Sequence, residues 1–139
     1  HIQSVYMRQN VVSGSGGVIK SRSRSGSARI INNTFVDNAA GFEMGASTVG
    51  AFDHNIFYRS GAFDTKAIED LDGVRWNCFG ADSSTSASSL RGGTNLFVDP
   101  KLTVNHFLLP DSPCMNGGRD GLIIGALGLA PPARPKLEP

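Results

Sequence analysis

The sequence predicts an all-β protein in which short repeats stack as the rungs of a solenoid. Three observations predict this fold class. An asparagine recurs at nearly constant spacing, an apolar residue stands two positions after each of these asparagines, and inward and outward positions near them follow the period of two that strands show. The helix formers Ala, Leu, Glu and Lys never cluster with a 3.6-residue period, so a helical bundle is not predicted.

The repeat is marked by five asparagines, separated by steps of 23, 22, 22 and 18 residues. They are Asn10, Asn33, Asn55, Asn77 and Asn95. A unit of about 22 residues with two or three short strands cannot bury its own apolar face. We therefore expect each repeat to pair its strands with those of the next repeat, at about 4.8 Å per step.

Stacking predicts an interior with two kinds of column. Phe35, Phe57 and Phe79 would form an aromatic stack, in which each pair adds about 1 kcal/mol beyond its burial. The asparagines would form a ladder, because a buried amide costs free energy unless another group bonds it. The alternative is that Asn merely favours turns, which does not explain its fixed spacing to Phe.

Two outward columns carry charge. A second strand recurs at Gly17–Lys20 and Gly41–Met44, with a weaker echo at Lys66–Glu69. The first charged column lies on these segments at steps of 23 residues and consists of Lys20, Glu43 and Lys66. The second precedes the asparagines and consists of Arg8, Asp53 and Arg75, with His54 and Trp76 beside it.

The Asn-x-Phe repeat over residues 4–82 resembles the right-handed parallel β-helix of the pectate-lyase-like superfamily. A second match is similar to the closing segment of many β-helix proteins linked to polysaccharide breakdown. Its parts are Asn95-Leu-Phe-Val-Asp-Pro100, His106-Phe-Leu-Leu-Pro-Asp-Ser-Pro113, Asn116-Gly-Gly118 and Ile124-Gly-Ala126. The resemblance implies a right-handed parallel β-helix of about four to five rungs, with an Asn ladder and a C-terminal cap.

The expected organisation is one domain and a tail. The domain covers 1–128, with rungs in 1–82, a polar loop in 83–94 and the last rung and cap in 95–128. Residues 129–139 are expected to form a Pro-rich flexible tail. His1–Ser4 is too short to cover the first rung, which favours either an upstream part or an end-to-end homodimer.

The composition and the two cysteines limit which partners and sites the sequence predicts. The net charge of +1 does not predict a nucleic-acid partner, and no apolar run approaches the roughly 20 residues of a membrane span. Cys78 and Cys114 either form a disulfide, which the oxidising environment reached on export would permit, or remain two small buried apolar side chains. They lack the spacing of a zinc site. A secreted or periplasmic location is favoured.

The resemblance places substrate on an outer sheet face and implies an acidic-polysaccharide lyase or a fragment of one. A lyase needs a cation at the uronate carboxylate and a base for the adjacent proton. Lys66 or Arg75 would be the cation, and Lys66 or His54 the base. Asp53 is a further catalytic candidate, and the candidate substrate-binding residues are Trp76, Glu43 and Lys20.

Plainer interpretations stay open beside these. The charged columns also fit ordinary ion pairs on the protein surface. Trp76 also fits a side chain that packs over apolar surface and binds no substrate. Acidic residues lie at Asp64, Glu69, Asp70 and Asp72. They would serve a hydrolase or Ca²⁺, but they lack the Asp-x-Asp-x-Asp pattern, so a solvated loop is favoured and neither a metal nor a cofactor is predicted. The alternative function is a non-catalytic carbohydrate-binding, adhesive or structural β-helix that associates through its first rung.

Overall fold

The computed structural model describes residues 5–14, 19–21, 27–38, 42–44, 48–59, 63–64, 74–80, 94–129 and 131. Within them the chain forms eleven short strands and two single-turn 3-10 helices, Pro113–Met115 and Arg119–Gly121, and no α-helix. The strands are β1 (Val5–Arg8), β2 (Val11–Ser13), β3 (Ile19–Ser21), β4 (Ser27–Ile31), β5 (Thr34–Val36), β6 (Phe42–Met44), β7 (Thr48–Asp53), β8 (Ile56–Tyr58), β9 (Phe63–Asp64), β10 (Val74–Arg75) and β11 (Cys78–Phe79). This part of the chain has no helix of the length and apolarity that crossing a membrane requires. The all-β prediction is confirmed for the described residues.

The described strands form three sheets in which every neighbouring pair is parallel. Sheet A has the order β1-β4-β7-β10, sheet B the order β2-β5-β8-β11 and sheet C the order β3-β6-β9. Parallel neighbours need a long connection, and here the remainder of each repeat supplies it. Each sheet therefore takes one strand from each successive repeat, as the sequence spacing predicts.

The predicted aromatic column lies in register across sheet B. Val12 pairs with Phe35, Phe35 with Phe57, and Phe57 with Phe79. The ring centroids of Phe35 and Phe57 are 4.8 Å apart, and those of Phe57 and Phe79 are 5.3 Å apart. Phe97 extends the stack, with its centroid 5.4 Å from that of Phe79. All three central rings are at most 1% exposed, so the stack is core.

The asparagine ladder is the second interior column. The Nδ2 group of Asn33 donates to Oδ1 of Asn55 at 3.0 Å, and Asn55 donates in the same way to Asn77 at 3.0 Å. The backbone N–H groups of Asn33 and Asn55 donate to the same two oxygens, at 2.9 and 3.0 Å. Asn10 and Asn95 continue the pattern at either end. The interpretation as a ladder is confirmed over that of isolated turn residues, because these buried amides bond one another.

The third strand of sheet C differs from the prediction. The echo at Lys66–Glu69 predicts a strand that lies outside the described residues, and the strand that pairs with β6 is β9 at Phe63–Asp64. The 23-residue spacing would set polar Thr65 opposite Phe42, whereas the observed register sets Phe63 there. An apolar residue opposite an apolar residue is the better match for two paired strands of one sheet.

The C-terminal segment, residues 94–129, packs against the last repeats. The Leu96 N–H donates to the Asn77 carbonyl at 2.7 Å, and Leu96 bridges Cys78 in the parallel sense. Three buried side chains of the segment form one cluster with two residues of sheet B, and the five are Leu108, Cys114, Ile124, Ile56 and Cys78. The segment therefore extends the core beyond the repeats.

Candidate functional site

The second charged column is a real feature of sheet A. Arg8 pairs with Ile31, Ile31 with Asp53, and Asp53 with Arg75, so the four residues occupy one register on adjacent strands. Arg75 is exposed, and 26% of the Asp53 side chain is accessible. Neighbouring positions in such a column are about 4.8 Å apart. The structure thus brings the predicted Asp53 and Arg75 onto one outer face.

Arg29 belongs to the same face and was missed by the sequence analysis. It lies two residues before Ile31 on β4, is exposed, and pairs in register with Tyr6 and Ala51. Alternate residues of a strand share a face. The two registers together carry three arginines, Arg8, Arg29 and Arg75, against the single carboxylate of Asp53. We call the positions of these two registers the arginine face.

Two sharp turns position His54 and Trp76 at the edge of the arginine face. Each residue directly precedes a ladder asparagine and has a left-handed backbone, with φ of 57° at His54 and 59° at Trp76. The His54 N–H donates to the Trp76 carbonyl at 3.1 Å. The same conformation recurs before the earlier ladder asparagines, at Gln9 and Asn32. The turn sends the following asparagine inward and leaves the preceding residue beside the outer face.

The imidazole of His54 links sheet A to the C-terminal segment. Its Nδ1 lies 2.7 Å from Oδ1 of Asp53, and the Arg119 backbone N–H donates to its Nε2 at 3.0 Å. Because Nε2 accepts a hydrogen bond, the ring proton is assigned to Nδ1, which donates it to Asp53. The residue is 7% exposed. In this arrangement the lone pair that a catalytic base would use is already engaged by Arg119.

Trp76 packs beside this link. Its ring and that of His54 are stacked, with centroids 6.5 Å apart and planes inclined by 22°. The residue is half-buried, and its backbone N–H donates to Oγ1 of Thr94 at 3.1 Å. The indole therefore covers the histidine on one side. The role of Trp76 in binding substrate stays a prediction.

The remaining predicted residues belong to sheet C or lie outside the described residues. Lys20 and Glu43 pair in register on β3 and β6, and the next residue in that register is Asp64, not Lys66. The predicted column of Lys20, Glu43 and Lys66 is therefore wrong in its third member, because the strand register shifts by two residues. Lys66 itself lies outside the described residues, as do three of the acidic residues, Glu69, Asp70 and Asp72. Among the residues that are described, no three His, Cys, Asp or Glu side chains form a metal-binding group.

No family model matches the sequence, and no curated protein or solved structure matches it. The resemblance to β-helix proteins rests on the residues of this chain alone.

A cavity of about 340 Å³ lies between sheet B and the C-terminal segment. Its charged groups satisfy each other, since Arg59 Nε and Nη2 donate to the two carboxylate oxygens of Asp37 at 2.8 and 3.0 Å. The Arg59 guanidinium also lies 4.9 Å from the Tyr58 ring centroid.

The link through His54 gives a first testable prediction. His54→Ala removes the acceptor of the Arg119 N–H, and we expect residues 118–126 to open about fivefold more often, since a hydrogen bond contributes about 1 kcal/mol. The measurement is the rate of limited trypsin cleavage after Arg119, whose side chain is 71% exposed. Cleavage after Lys101 in the same segment is the internal control. Equal acceleration at both sites would show general unfolding instead.

Proposed function

We propose that the chain is a right-handed parallel β-helix of the pectate-lyase-like type, with residues 95–128 as its cap. Three observations support this fold. Successive repeats contribute in order to three parallel sheets. The Asn and Phe columns stack inside. The buried Leu108, Cys114 and Ile124 join the core of the last repeats.

On this fold, we propose that the arginine face binds an acidic polysaccharide without cleaving it. The observation that carries the proposal is the charge of the face, which has Arg8, Arg29 and Arg75 in two adjacent registers, with Arg29 and Arg75 exposed. A guanidinium binds a carboxylate through two parallel N–H donors, so it suits the uronate units of such a polymer. Because the arginines lie on different strands of one sheet, a chain crossing the strands would meet them in succession.

A binding role fits the geometry better than a lyase role. Abstraction of the uronate proton needs a base with a lone pair to accept it. Of the described residues at the arginine face, His54 is the predicted base, and its Nε2 accepts from the Arg119 N–H. Asp53 in turn accepts from the other ring nitrogen. The lyase hypothesis then depends on Lys66, which lies outside the described residues.

The test compares binding of polygalacturonate with binding of neutral dextran by isothermal titration calorimetry. We expect polygalacturonate to bind, and the Arg29→Ala/Arg75→Ala double variant to bind about tenfold more weakly, since each exposed charge contact is worth up to about 1 kcal/mol. Arg59→Ala removes one arginine away from the face and is the matched control for the single variant Arg75→Ala. Equal weakening by these two single substitutions would contradict the proposal.

The same samples also test the lyase alternative. Cleavage by elimination produces unsaturated uronates, which absorb in the ultraviolet, and the proposal expects no such product. If absorbance develops and Lys66→Ala abolishes it, the protein is a lyase and the binding proposal is replaced.

A further inference from the structure

Two buried cysteines join the repeats to the C-terminal segment. Cys78 is the first residue of β11, and Cys114 lies in the 3-10 helix Pro113–Met115. Both are free thiols, both are 0% exposed, and both belong to the cluster that holds the segment against sheet B. Neither takes part in the proposed binding.

The two cysteine side chains lie in one buried cluster. Cys78 and Cys114 pack there with Ile56, Leu108 and Ile124, and the Cys78 thiol donates to the Val98 carbonyl at 3.5 Å. A disulfide requires the sulfurs to approach to about 2.05 Å. Two cysteines of one buried cluster are placed where such an approach is possible.

Each cysteine backbone is held in place independently of the thiols. The Cys78 N–H donates to the Asn55 carbonyl at 2.8 Å. The Cys114 N–H donates to Oγ of Ser112 at 3.1 Å, and its carbonyl accepts from Ile124 at 2.9 Å. Folding itself therefore brings the two side chains together, whether or not they become bonded.

We propose that Cys78 and Cys114 are an oxidation site whose covalent state is set while the chain folds. In the presence of a small-molecule disulfide such as glutathione disulfide, one cysteine thiolate attacks a glutathione sulfur and releases a glutathione thiolate. The second cysteine thiolate then attacks the protein sulfur of this mixed disulfide and releases the other glutathione. The two cysteines lose two electrons and two protons, and glutathione disulfide becomes two glutathione thiols.

The folded state protects whichever form was made. The thiolate is the reactive species in disulfide exchange. The hydrogen bond with Cys114 and burial both raise the pKa of the Cys78 thiol. Both sulfurs are also inaccessible to a reagent in solution. Exchange in the folded protein therefore needs the C-terminal segment to open first.

The bond would change the stability of the molecule. It would connect β11 directly to the segment that packs on it and close a loop of more than thirty residues. A cross-link of this length restricts the unfolded chain considerably. We expect the thermal midpoint of the oxidised form to lie about 10 °C above that of the reduced form.

The experiment refolds the full chain from denaturant with either glutathione disulfide or dithiothreitol. The first sample should lose two hydrogens by mass and show neither thiol to iodoacetamide after unfolding. The second should keep both thiols, and in its native state these should react with Ellman's reagent at least a hundredfold more slowly than after unfolding. Mixed glutathione adducts as the end product, two alkylated thiols in the first sample, or fast reaction in the native second sample would each overturn the proposal.

Single variants separate a bond between these two residues from a bond between chains. Cys78→Ala and Cys114→Ala should yield no internal disulfide. If either variant fails to refold, the thermal midpoints of the two wild-type forms decide, because coincident midpoints would overturn the predicted cross-link.

Discussion

Asn55→Ala is expected to lower the free energy of unfolding by about 3 kcal/mol or more. The side-chain oxygen of Asn55 accepts from both the backbone N–H and the Nδ2 group of Asn33. Its own Nδ2 donates to the Ile30 carbonyl at 2.8 Å. Alanine leaves these partners buried without Asn55, and each unsatisfied buried group costs about 1–3 kcal/mol. Urea unfolding monitored by circular dichroism measures the loss.

Two further asparagines serve as controls for this variant. Asn105 is exposed and outside the ladder, so Asn105→Ala should stay within about 0.5 kcal/mol of the parent. Asn10 belongs to the ladder but is exposed, so Asn10→Ala should fall between the two. An equal loss in all three variants would show that the ladder contributes nothing specific to stability.

Phe57→Ala is expected to cost about 3–5 kcal/mol, the usual range for deleting a buried aromatic side chain. The ring is 1% exposed and stacks on Phe35, Phe79 and Phe52, the last at a centroid distance of 5.8 Å. Removal leaves a cavity in the middle of the column, where the paired strands on both sides resist collapse. The same urea measurement applies.

Phe57→Leu separates the two sources of this stability. Leucine keeps much of the apolar volume but loses the ring-on-ring geometry, which is worth about 0.5–1.5 kcal/mol for each aromatic pair. We expect a loss of about 2 kcal/mol, clearly below that of alanine. If leucine matches phenylalanine, the column contributes through volume alone.

Features that repeat along the chain were predictable from the sequence. The ladder and the Phe column could be assigned because similar residues recur at almost every step. The register of sheet C could not be assigned in this way, because the prediction of its third strand depended on a single weak match to the repeat. Spacing set Thr65 opposite Phe42, whereas strand pairing favoured Phe63. A periodic argument places a column well when several members agree and poorly when one member carries it.

The site was less predictable than the fold because its decisive contacts are not periodic. Arg29 carries the one charge of its register, so no recurrence marks it. His54 is engaged by the backbone of Arg119, 65 residues further along the chain. No spacing within the repeats signals that contact. The sequence could not decide whether Cys78 and Cys114 lie together for a similar reason, since it does not say which part of the C-terminal segment reaches β11.

The asparagine ladder has a polarity that bears on how the protein can be lengthened. From Asn10 to Asn77, each amide Nδ2 donates to the following repeat, and from Asn33 to Asn95, each amide oxygen accepts from the preceding one. Each internal repeat therefore presents an amide donor on one side and an amide oxygen on the other, and the two sides are complementary. A duplicated unit of 22 residues spliced between Asn33 and Asn55 would find a donor on one side and an acceptor on the other. The protein is in this sense extensible by whole units and intolerant of partial ones.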